Sequence, residues 1–241
     1  QAATAIAYGM DFNHRVIIPK QDESNPDYRM LKRVAQKNFK KLESFSQYIS
    51  PSWSYSPLPE YKGNVVLNGF FQSSKNFQHH ESLIKKLYQP TTKERKYIHK
   101  KYGKLLNKKP ISVHVRRGDY VTDPNFYVQP ESYYQKAFEH FPKKSYFLIF
   151  SDDIPACKRM AFLKDYPNCI FVKEKDPVVS IHLMSKCAHH IIANSSFSWW
   201  GAFLGKNPNR KVISPAQWFP PERQKDMDVS DVYDSRWIIQ P

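Results

Sequence analysis

The sequence contains few cysteines, and their number and spacing argue against a small domain stabilised by disulfides and against one stabilised by zinc. Only three occur among its 241 residues, at Cys157, Cys169 and Cys187. An odd number does not complete a disulfide framework, and no pair has the Cys-x-x-Cys spacing that is typical of zinc sites. We therefore expect buried free thiols.

The sequence also lacks a membrane-spanning stretch, a signal peptide and internal repeats. Its longest uncharged stretch near the end, residues 187–205, holds two histidines, an asparagine and three serines, too many polar groups for a lipid span. The chain begins at Gln1 instead of methionine, so we expect a fragment of a longer protein. We expect a cytoplasmic location, with membrane association left open and the Golgi lumen as the alternative if an anchor preceded Gln1.

Acidic residues are scarce relative to basic ones. The 37 lysines and arginines against 22 aspartates and glutamates give a net charge of +15. This excess predicts an anionic partner: a nucleic acid, an acidic membrane or a phosphorylated small molecule. Much of the excess lies in lysine-rich segments at 32–41, 85–109 and 206–211, which are also typical of solvated faces.

Strand-like and helix-like segments alternate along the chain, which predicts an α/β fold with parallel strands. Predicted strands lie at 16–18, 65–67, 111–115, 146–150, 170–172, 190–193 and 211–214. Predicted helices lie at 2–7, 28–42, 81–106 with a break at Pro90, from Pro130, and at 178–187 and 199–204. The lysine-rich helical piece at 81–106 is the candidate connection between two domains.

The stretch at 111–121, ISVHVRRGDYV, carries the densest chemistry in the sequence. Apolar and polar residues alternate along its strand, which predicts two faces in different environments and places His114 and Arg116 on the same face. A glycine then allows a turn that contains Arg117 and Asp119. Two guanidinium groups at a strand end suit a diphosphate, because each offers a planar fork of donors and a permanent charge. A surface ion network among these residues is the alternative.

Polar groups follow two further predicted strands. Asp152 and Asp153 come after one strand, and residues 194–198 come after another and before a helix. Because the carboxyl ends of parallel strands share one edge, we expect these groups to meet the arginines. A helix amino terminus favours a phosphate, and an aspartate could accept from a guanine amino group or a ribose hydroxyl. A metal held by the two aspartates, or a simple helix cap, are the alternatives.

Three motifs resemble those of the GDP-fucose-dependent α-1,2-fucosyltransferases, the galactoside 2-α-L-fucosyltransferases of glycosyltransferase family 11. They are HVRRGDY at 114–120, FSDD at 150–153 and IANSSFSWWGA at 192–202, and the likeness extends to 69–73, 123–134 and 183–185. The resemblance implies a GT-B-like fold of two Rossmann-like domains: an acceptor-side domain at 1–106 and a GDP-fucose-binding domain at 107–241. It also implies inverting transfer of L-fucose from GDP-β-L-fucose to the 2-hydroxyl of a terminal galactoside, with no metal and no cofactor.

The resemblance also implies roles for individual residues. Arg116 and Arg117 would hold the GDP diphosphate, and Arg116 would stabilise the charge that grows there during transfer. Asp119 is the candidate base for the acceptor hydroxyl, with orientation of Arg117 as its alternative role. The candidate donor-binding residues are His114, Arg116, Arg117, Asp152, Asp153, Asn194, Ser195, Ser196, Phe197 and Ser198.

The sequence departs from the family pattern at two places. Family members usually open with a strand and a Gly-rich loop before a helix like the one at 2–7, and here the chain begins at about the end of that loop. Where members often carry an acid before the Leu-x-Leu-Met segment, this sequence has Ser180, so any role of that acid would fall to Asp176.

Two other functions compete with this interpretation. One is a fucosyltransferase-like fold with another acceptor or linkage, and the other is a basic nucleic-acid-binding module. The second is disfavoured because the arginines and hydroxyls converge on strand ends instead of forming a basic stripe along one element. We therefore expect GDP-fucose and a galactose-terminated glycan as partners and no nucleic acid, with peripheral membrane contact left open.

Overall fold

The computed structural model describes residues 1–19, 30, 36–37 and 44–241. The chain forms two compact units, Gln1–Gln89 with Met227–Asp234, and Pro90–Asp226 with Ser235–Pro241. The helix at 92–106, expected in the first domain, lies in the second unit, where Ile98 and Tyr102 pack into the core. The roles assigned to the two domains stay predictions.

The first unit contains short parallel strand pairs and helices. Its elements are α1 (Ala2–Asp11), β1 (Ile18–Pro19), β2 (Gln36–Lys37), β3 (Ser46–Ile49), β4 (Val65–Asn68), the 3₁₀ helices Ser74–Asn76 and Gln78–His80, and α2 (Glu81–Leu87). Strand β1 pairs with β2 and β3 pairs with β4. The predicted helix at 2–7 is confirmed and longer. Most of the predicted basic helix at 28–42 lies outside the described residues, and the helix prediction is wrong for Gln36–Lys37, which pair with β1 as strand β2.

A six-stranded, fully parallel sheet forms the centre of the second unit, with strand order β10-β9-β8-β5-β6-β7. Its strands are β5 (Ile111–Val115), β6 (Phe147–Ser151), β7 (Cys169–Phe171), β8 (His189–Ile191), β9 (Val212–Pro215) and β10 (Ile238–Gln240). Its helices are α3 (Thr92–Leu106), α4 (Glu131–Phe138), α5 (Ile154–Lys158), α6 (Pro177–Met184), α7 (Ser196–Phe203) and α8 (Pro221–Gln224). The predicted α/β class with mainly parallel sheets is confirmed.

This sheet is buried on both faces. In β6, Phe147 and Ile149 pack with Phe138 of α4 on one side, whereas Leu148 and Phe150 pack on the other with α3 and α6. All five residues of β5 are buried. The prediction that the two faces of β5 meet different environments is therefore wrong, because helices cover both sides of a parallel sheet.

The strand order places β5 and β8 at the point where the direction in which successive strands are added to the sheet reverses. From β5 the chain proceeds outward to β6 and β7, then returns to β8 on the other side of β5 and proceeds to β9 and β10. This is the order of doubly wound nucleotide-binding sheets, which bind ligands in the crevice at such a reversal, beyond the carboxyl ends of the strands. The loops after β5, β6 and β8 lie at this edge, as predicted.

The expectation of free thiols is confirmed, although one of the three is only half-buried. Cys157 and Cys187 are buried, Cys169 is half-buried, and all three are free. Within the described ranges, no helix has the length and apolar character needed to cross a membrane.

Candidate functional site

Arg116 lies immediately beyond β5 and is held by two carboxylates and a ring. Its Nη1 donates to Asp152 Oδ2 at 2.6 Å and its Nη2 donates to Asp119 Oδ1 at 2.5 Å. The guanidinium carbon lies 5.1 Å from the centroid of the Tyr120 ring. The side chain remains 31% exposed. Arg116 is thus held in one orientation and is still accessible to a ligand.

Arg117 connects the loop after β5 to the loop after β6. Its backbone N–H donates to Asp152 Oδ1 at 2.9 Å, and its Nε donates to Asp153 Oδ2 at 3.2 Å. Asp153 also caps α5, accepting from the backbone N–H of Ala156 at 2.9 Å. This backbone hydrogen bond, together with Arg117, holds the pKa of Asp153 below its usual value against the opposing effect of burial.

Gly118 allows the Asp152 carboxylate to lie close to the backbone of the loop after β5. Its φ is +23°, and a Cβ at this position would lie 2.6 Å from Asp152 Oδ2. Any other side chain would push the carboxylate away from both arginines. The turn predicted from this glycine therefore forms, and it also brings the ends of β5 and β6 together.

The loop after β8 is built from buried hydrogen bonds. Asn194 is buried, and its Nδ2 donates to the carbonyl oxygens of Tyr127 and Trp218, both at 2.8 Å. Ser195 caps α7, its Oγ accepting from the backbone N–H of Phe197 at 3.4 Å. Ser198 is buried as well and donates to the carbonyl oxygen of Ser195 at 3.3 Å.

Helix α7 begins at Ser196, three residues before the predicted start. Ser196, Phe197 and Ser198 therefore form its first turn instead of a preceding loop, because the Ser195 cap supplies an acceptor for the first free N–H groups. Of the predicted group at 194–198, only Ser196 has an exposed side chain. The other four residues shape the loop from within.

Tyr120 joins the two loops, a role that the sequence pattern does not predict. Its hydroxyl donates to the carbonyl oxygen of Asn194 at 3.2 Å, and its ring stacks on Phe126 with centroids 4.3 Å apart. Burial raises the pKa of Tyr120, so the phenol stays protonated as a donor. The tyrosine belongs to the HVRRGDY motif, but its partner lies 74 residues away in sequence.

His114 lies inside the sheet, within strand β5. It is 4% exposed, its ring packs 5.2 Å from that of Phe197, and its Nδ1 has no hydrogen-bond partner among the described residues. Burial, with a smaller effect of Arg116, lowers the pKa of His114 to about 3. Strand β5 ends at Val115, so His114 lies within the strand and Arg116 lies immediately beyond it; the expected common projection of the two side chains stays a prediction. His114 is therefore neutral near pH 7 and adds no charge to the site.

The arginines retain donors for an anion despite their carboxylate partners. A guanidinium carries five N–H groups. Arg116 uses one each of Nη1 and Nη2, and Arg117 uses its Nε, so its two terminal nitrogens make no hydrogen bond within the part of the chain that is described. The predicted surface ion network therefore exists and still leaves N–H donors on both arginines. The assignment of Asp152 and Asp153 to the nucleotide stays a prediction, since their oxygens bond the arginines and the α5 cap.

Known proteins similar to this chain are glycosyltransferases. It is 31% identical to an α-1,2-colitosyltransferase from Escherichia coli over 73% of its own length and 63% of that protein. It is 32% identical to the O-antigen biosynthesis glycosyltransferase WbnK from the same organism over 66% and 56%, respectively. A galactoside 2-α-L-fucosyltransferase from Caenorhabditis elegans is 30% identical over 59% of this chain and 43% of that protein. The chain thus spans about three fifths of the length of the two bacterial relatives.

One similar solved structure is that of NodZ α-1,6-fucosyltransferase soaked with GDP-fucose. It is 13% identical, with a TM-score of 0.41 over 77% of this chain and 60% of that chain. The sequence model of glycosyl transferase family 11 matches residues 1–240. Since this match covers the chain nearly from end to end, the protein belongs to glycosyl transferase family 11.

Proposed function

We propose that this protein is an inverting fucosyltransferase that moves L-fucose from GDP-β-L-fucose to the 2-hydroxyl of a terminal galactoside. The observation that carries the proposal is the pair Arg116 and Arg117, held at the β5 and β8 reversal with several N–H donors unused. A diphosphate needs such fixed, permanently charged donors at a nucleotide-binding strand edge. The relative named as a galactoside 2-α-L-fucosyltransferase supports the transferred sugar, the acceptor class and the linkage.

The reaction requires charge stabilisation on the departing nucleotide. The acceptor oxygen forms a bond to the anomeric carbon of fucose on the face opposite GDP, while the bond from that carbon to the β-phosphate oxygen breaks. The electron pair of that bond leaves with GDP, so negative charge grows on the β-phosphate. Arg116 and Arg117 stabilise this charge more strongly in the transition state than in the ground state, which accelerates transfer.

The acceptor hydroxyl must lose its proton during the same step, and Asp119 is the proposed base. Its side chain is 57% exposed and one carboxylate oxygen accepts from Arg116. Within the described residues the second oxygen, Oδ2, has no hydrogen-bond partner, so it can accept a proton. The structure pairs Asp119 with Arg116 and not with Arg117, so its alternative role is to orient Arg116.

A second candidate function is transfer of a different deoxy sugar by the same mechanism. The relative from Escherichia coli that is named as an α-1,2-colitosyltransferase favours this alternative. The diphosphate-binding arginines would serve either donor, because they contact the part of the donor that does not differ between sugars.

The decisive experiment is an assay of the purified protein with GDP-fucose and a panel of galactosides, with the product linkage determined by NMR. We expect an α-1,2-linked fucoside and no product from GDP-mannose. Transfer of another sugar in preference to fucose would support the second candidate, and an absence of transfer from all GDP-sugars would contradict both.

A binding measurement separates these functions from the nucleic-acid-binding module. Calorimetric titrations with GDP and with a single-stranded oligonucleotide are compared between low and high salt. Binding to a phosphate backbone weakens steeply with salt because counterions are released, whereas a GDP pocket loses much less affinity. Tight, salt-sensitive oligonucleotide binding without GDP binding would overturn the proposal.

A further inference from the structure

The first unit contains a cluster of three potential metal ligands that the proposed reaction does not use. Asp11 ends helix α1, and His79 and His80 lie in the 3₁₀ helix Gln78–His80. His79 Nε2 lies 2.8 Å from Asp11 Oδ2, and His80 Nε2 lies 2.7 Å from Asp11 Oδ1. One ligand atom from each of the three residues lies within 4.8 Å of the other two.

Both histidines present the same ring nitrogen to the carboxylate. A carboxylate only accepts, so each Nε2 carries a hydrogen in this arrangement. A change to the tautomer protonated on Nδ1 leaves a lone pair on each Nε2 without changing the charge of either ring. The cluster then offers two imidazole nitrogens and one carboxylate, a donor set that zinc-class ions prefer.

The distances require only small side-chain movements. Bonds of about 2.0–2.2 Å from a tetrahedral zinc ion place neighbouring ligand atoms roughly 3.4 Å apart. The two present separations between nitrogen and oxygen, 2.8 and 2.7 Å, must therefore open slightly, and any wider separation must close. The side chains of His79, His80 and Asp11 are 47%, 24% and 33% exposed, so they have room to move.

The cluster also borders a cavity that could supply a further ligand. His79 and Asp11 line a cavity of about 350 Å³, together with the aromatic residues Tyr8, Phe12 and Tyr55. Zinc sites that keep one position open for water or a small ligand likewise have three protein ligands with space beside them.

From this geometry we infer that Asp11, His79 and His80 bind a divalent metal ion of the zinc class, with an open coordination position toward the cavity. The alternative is that the two hydrogen bonds merely join α1 to the 3₁₀ helix Gln78–His80, and that the cluster has no affinity for a metal. The inference is independent of the proposed transfer reaction, because that reaction uses none of the three ligands.

The test is calorimetric titration of the tag-free protein with Zn²⁺ alone, followed by absorption spectroscopy with Co²⁺ as a coordination probe. We expect binding of one ion per chain and the intense visible bands of four-coordinate cobalt. Asp11→Asn and His80→Gln should each weaken binding by at least about tenfold, since even the loss of a residue that only orients a ligand costs that much. His99→Ala, which removes an exposed histidine of α3, should bind as the unsubstituted chain does.

Circular dichroism and thermal unfolding of each variant show whether it remains folded. If Asp11→Asn fails to fold, His80→Gln still tests the site, because it retains the carboxylate. Binding that is unaffected by both substitutions would overturn the inference, as would the absence of binding to the unsubstituted protein. A normal transfer rate in a variant that no longer binds Zn²⁺ would leave the proposed function intact.

Discussion

The loops after β5 and β8 are neighbours at the same edge of the sheet, yet they are held by different forces. In the first, partly exposed charges on Arg116, Arg117 and Asp119 bond to other charges. In the second, the buried amide of Asn194 bonds to backbone carbonyl groups. Exposed ion pairs contribute about 0–1 kcal/mol, whereas an unsatisfied buried polar group costs about 1–3 kcal/mol.

Because the two loops are held by different interactions, we expect them to have different functions. The charged loop can exchange its carboxylate partners for a phosphate at little cost, because it contributes little to stability. The buried loop cannot change without exposing unpaired backbone groups, so it maintains the shape of the crevice. Substitutions in the first loop should therefore affect activity, and those in the second should affect the free energy of unfolding.

The largest expected effect is that of Asp119→Asn. If Asp119 is the base, turnover should fall by about 10²- to 10⁴-fold with GDP affinity nearly unchanged. Asp152→Asn is the matched control, because it also removes a carboxylate partner of Arg116 but leaves the base in place. Turnover and GDP affinity are measured for both variants. A parallel loss of both quantities in Asp119→Asn would instead show that Asp119 orients Arg116.

Arg116→Lys should lower the transfer rate by about 10²- to 10³-fold, the usual cost of losing a fixed donor to a developing negative charge. An ammonium group keeps the charge but lacks the planar fork. Arg223→Lys is the control, because the Arg223 guanidinium also lies 5.1 Å from a ring centroid, that of Phe219. Both variants should unfold like the unsubstituted protein. Near-full activity of Arg116→Lys would exclude a bidentate role.

Asn194→Ala should act on stability. It leaves the carbonyl oxygens of Tyr127 and Trp218 without their donor and should lower the free energy of unfolding by about 1–3 kcal/mol. Ser196→Ala, two residues further on at an exposed position in the first turn of α7, should change it by no more than about 0.5 kcal/mol. Urea denaturation measures both. Equal effects of the two substitutions would contradict the division between the loops.

Histidines inside the sheet should make the second unit sensitive to acid. Burial lowers the pKa of His114 and that of His190 to about 3. Their unfolded pKa is about 6.5, so below it the unfolded chain binds more protons and stability falls as the pH decreases toward about 3. Each group contributes a slope of at most about 1.4 kcal/mol per pH unit.

Denaturation curves between pH 7 and pH 4 measure this slope. We expect His190→Gln to reduce it and His99→Ala, at an exposed position, to leave it unchanged. An identical slope in both variants would show that His190 is protonated to the same extent in the folded and unfolded chains.

The smallest expected effect is that of a chelator, which should leave the initial transfer rate unchanged because Arg116 and Arg117 supply the positive charge. This prediction holds even if the first unit binds Zn²⁺. Should the rate fall, repeating the assay with Asp11→Asn and with Asp152→Asn would identify the responsible group. Chelator sensitivity that persists in Asp11→Asn but is absent from Asp152→Asn would identify Asp152 as a metal ligand.

Much of the second unit was predictable from the sequence because its elements are marked locally. Apolar runs mark β6 and β8, and the glycine after β5 marks the turn that holds Arg117. Some elements and boundaries were less predictable. Strand β10 was not predicted, and helix α7 begins earlier than expected because a serine cap, not an apolar residue, starts it.

The sequence by itself determined the α/β class, the parallel sheet and the edge at which the charged residues gather, because alternation and strand ends are local properties. Only the tertiary structure decided the partner of each group. It paired Asp119 with Arg116, buried His114, and joined Tyr120 to Asn194 across 74 residues. It likewise brought Asp11 to His79 and His80. The contacts of Tyr120 with Asn194 and of Asp11 with the two histidines depend on the packing of distant segments, and no local pattern records which donor a folded chain brings to which acceptor.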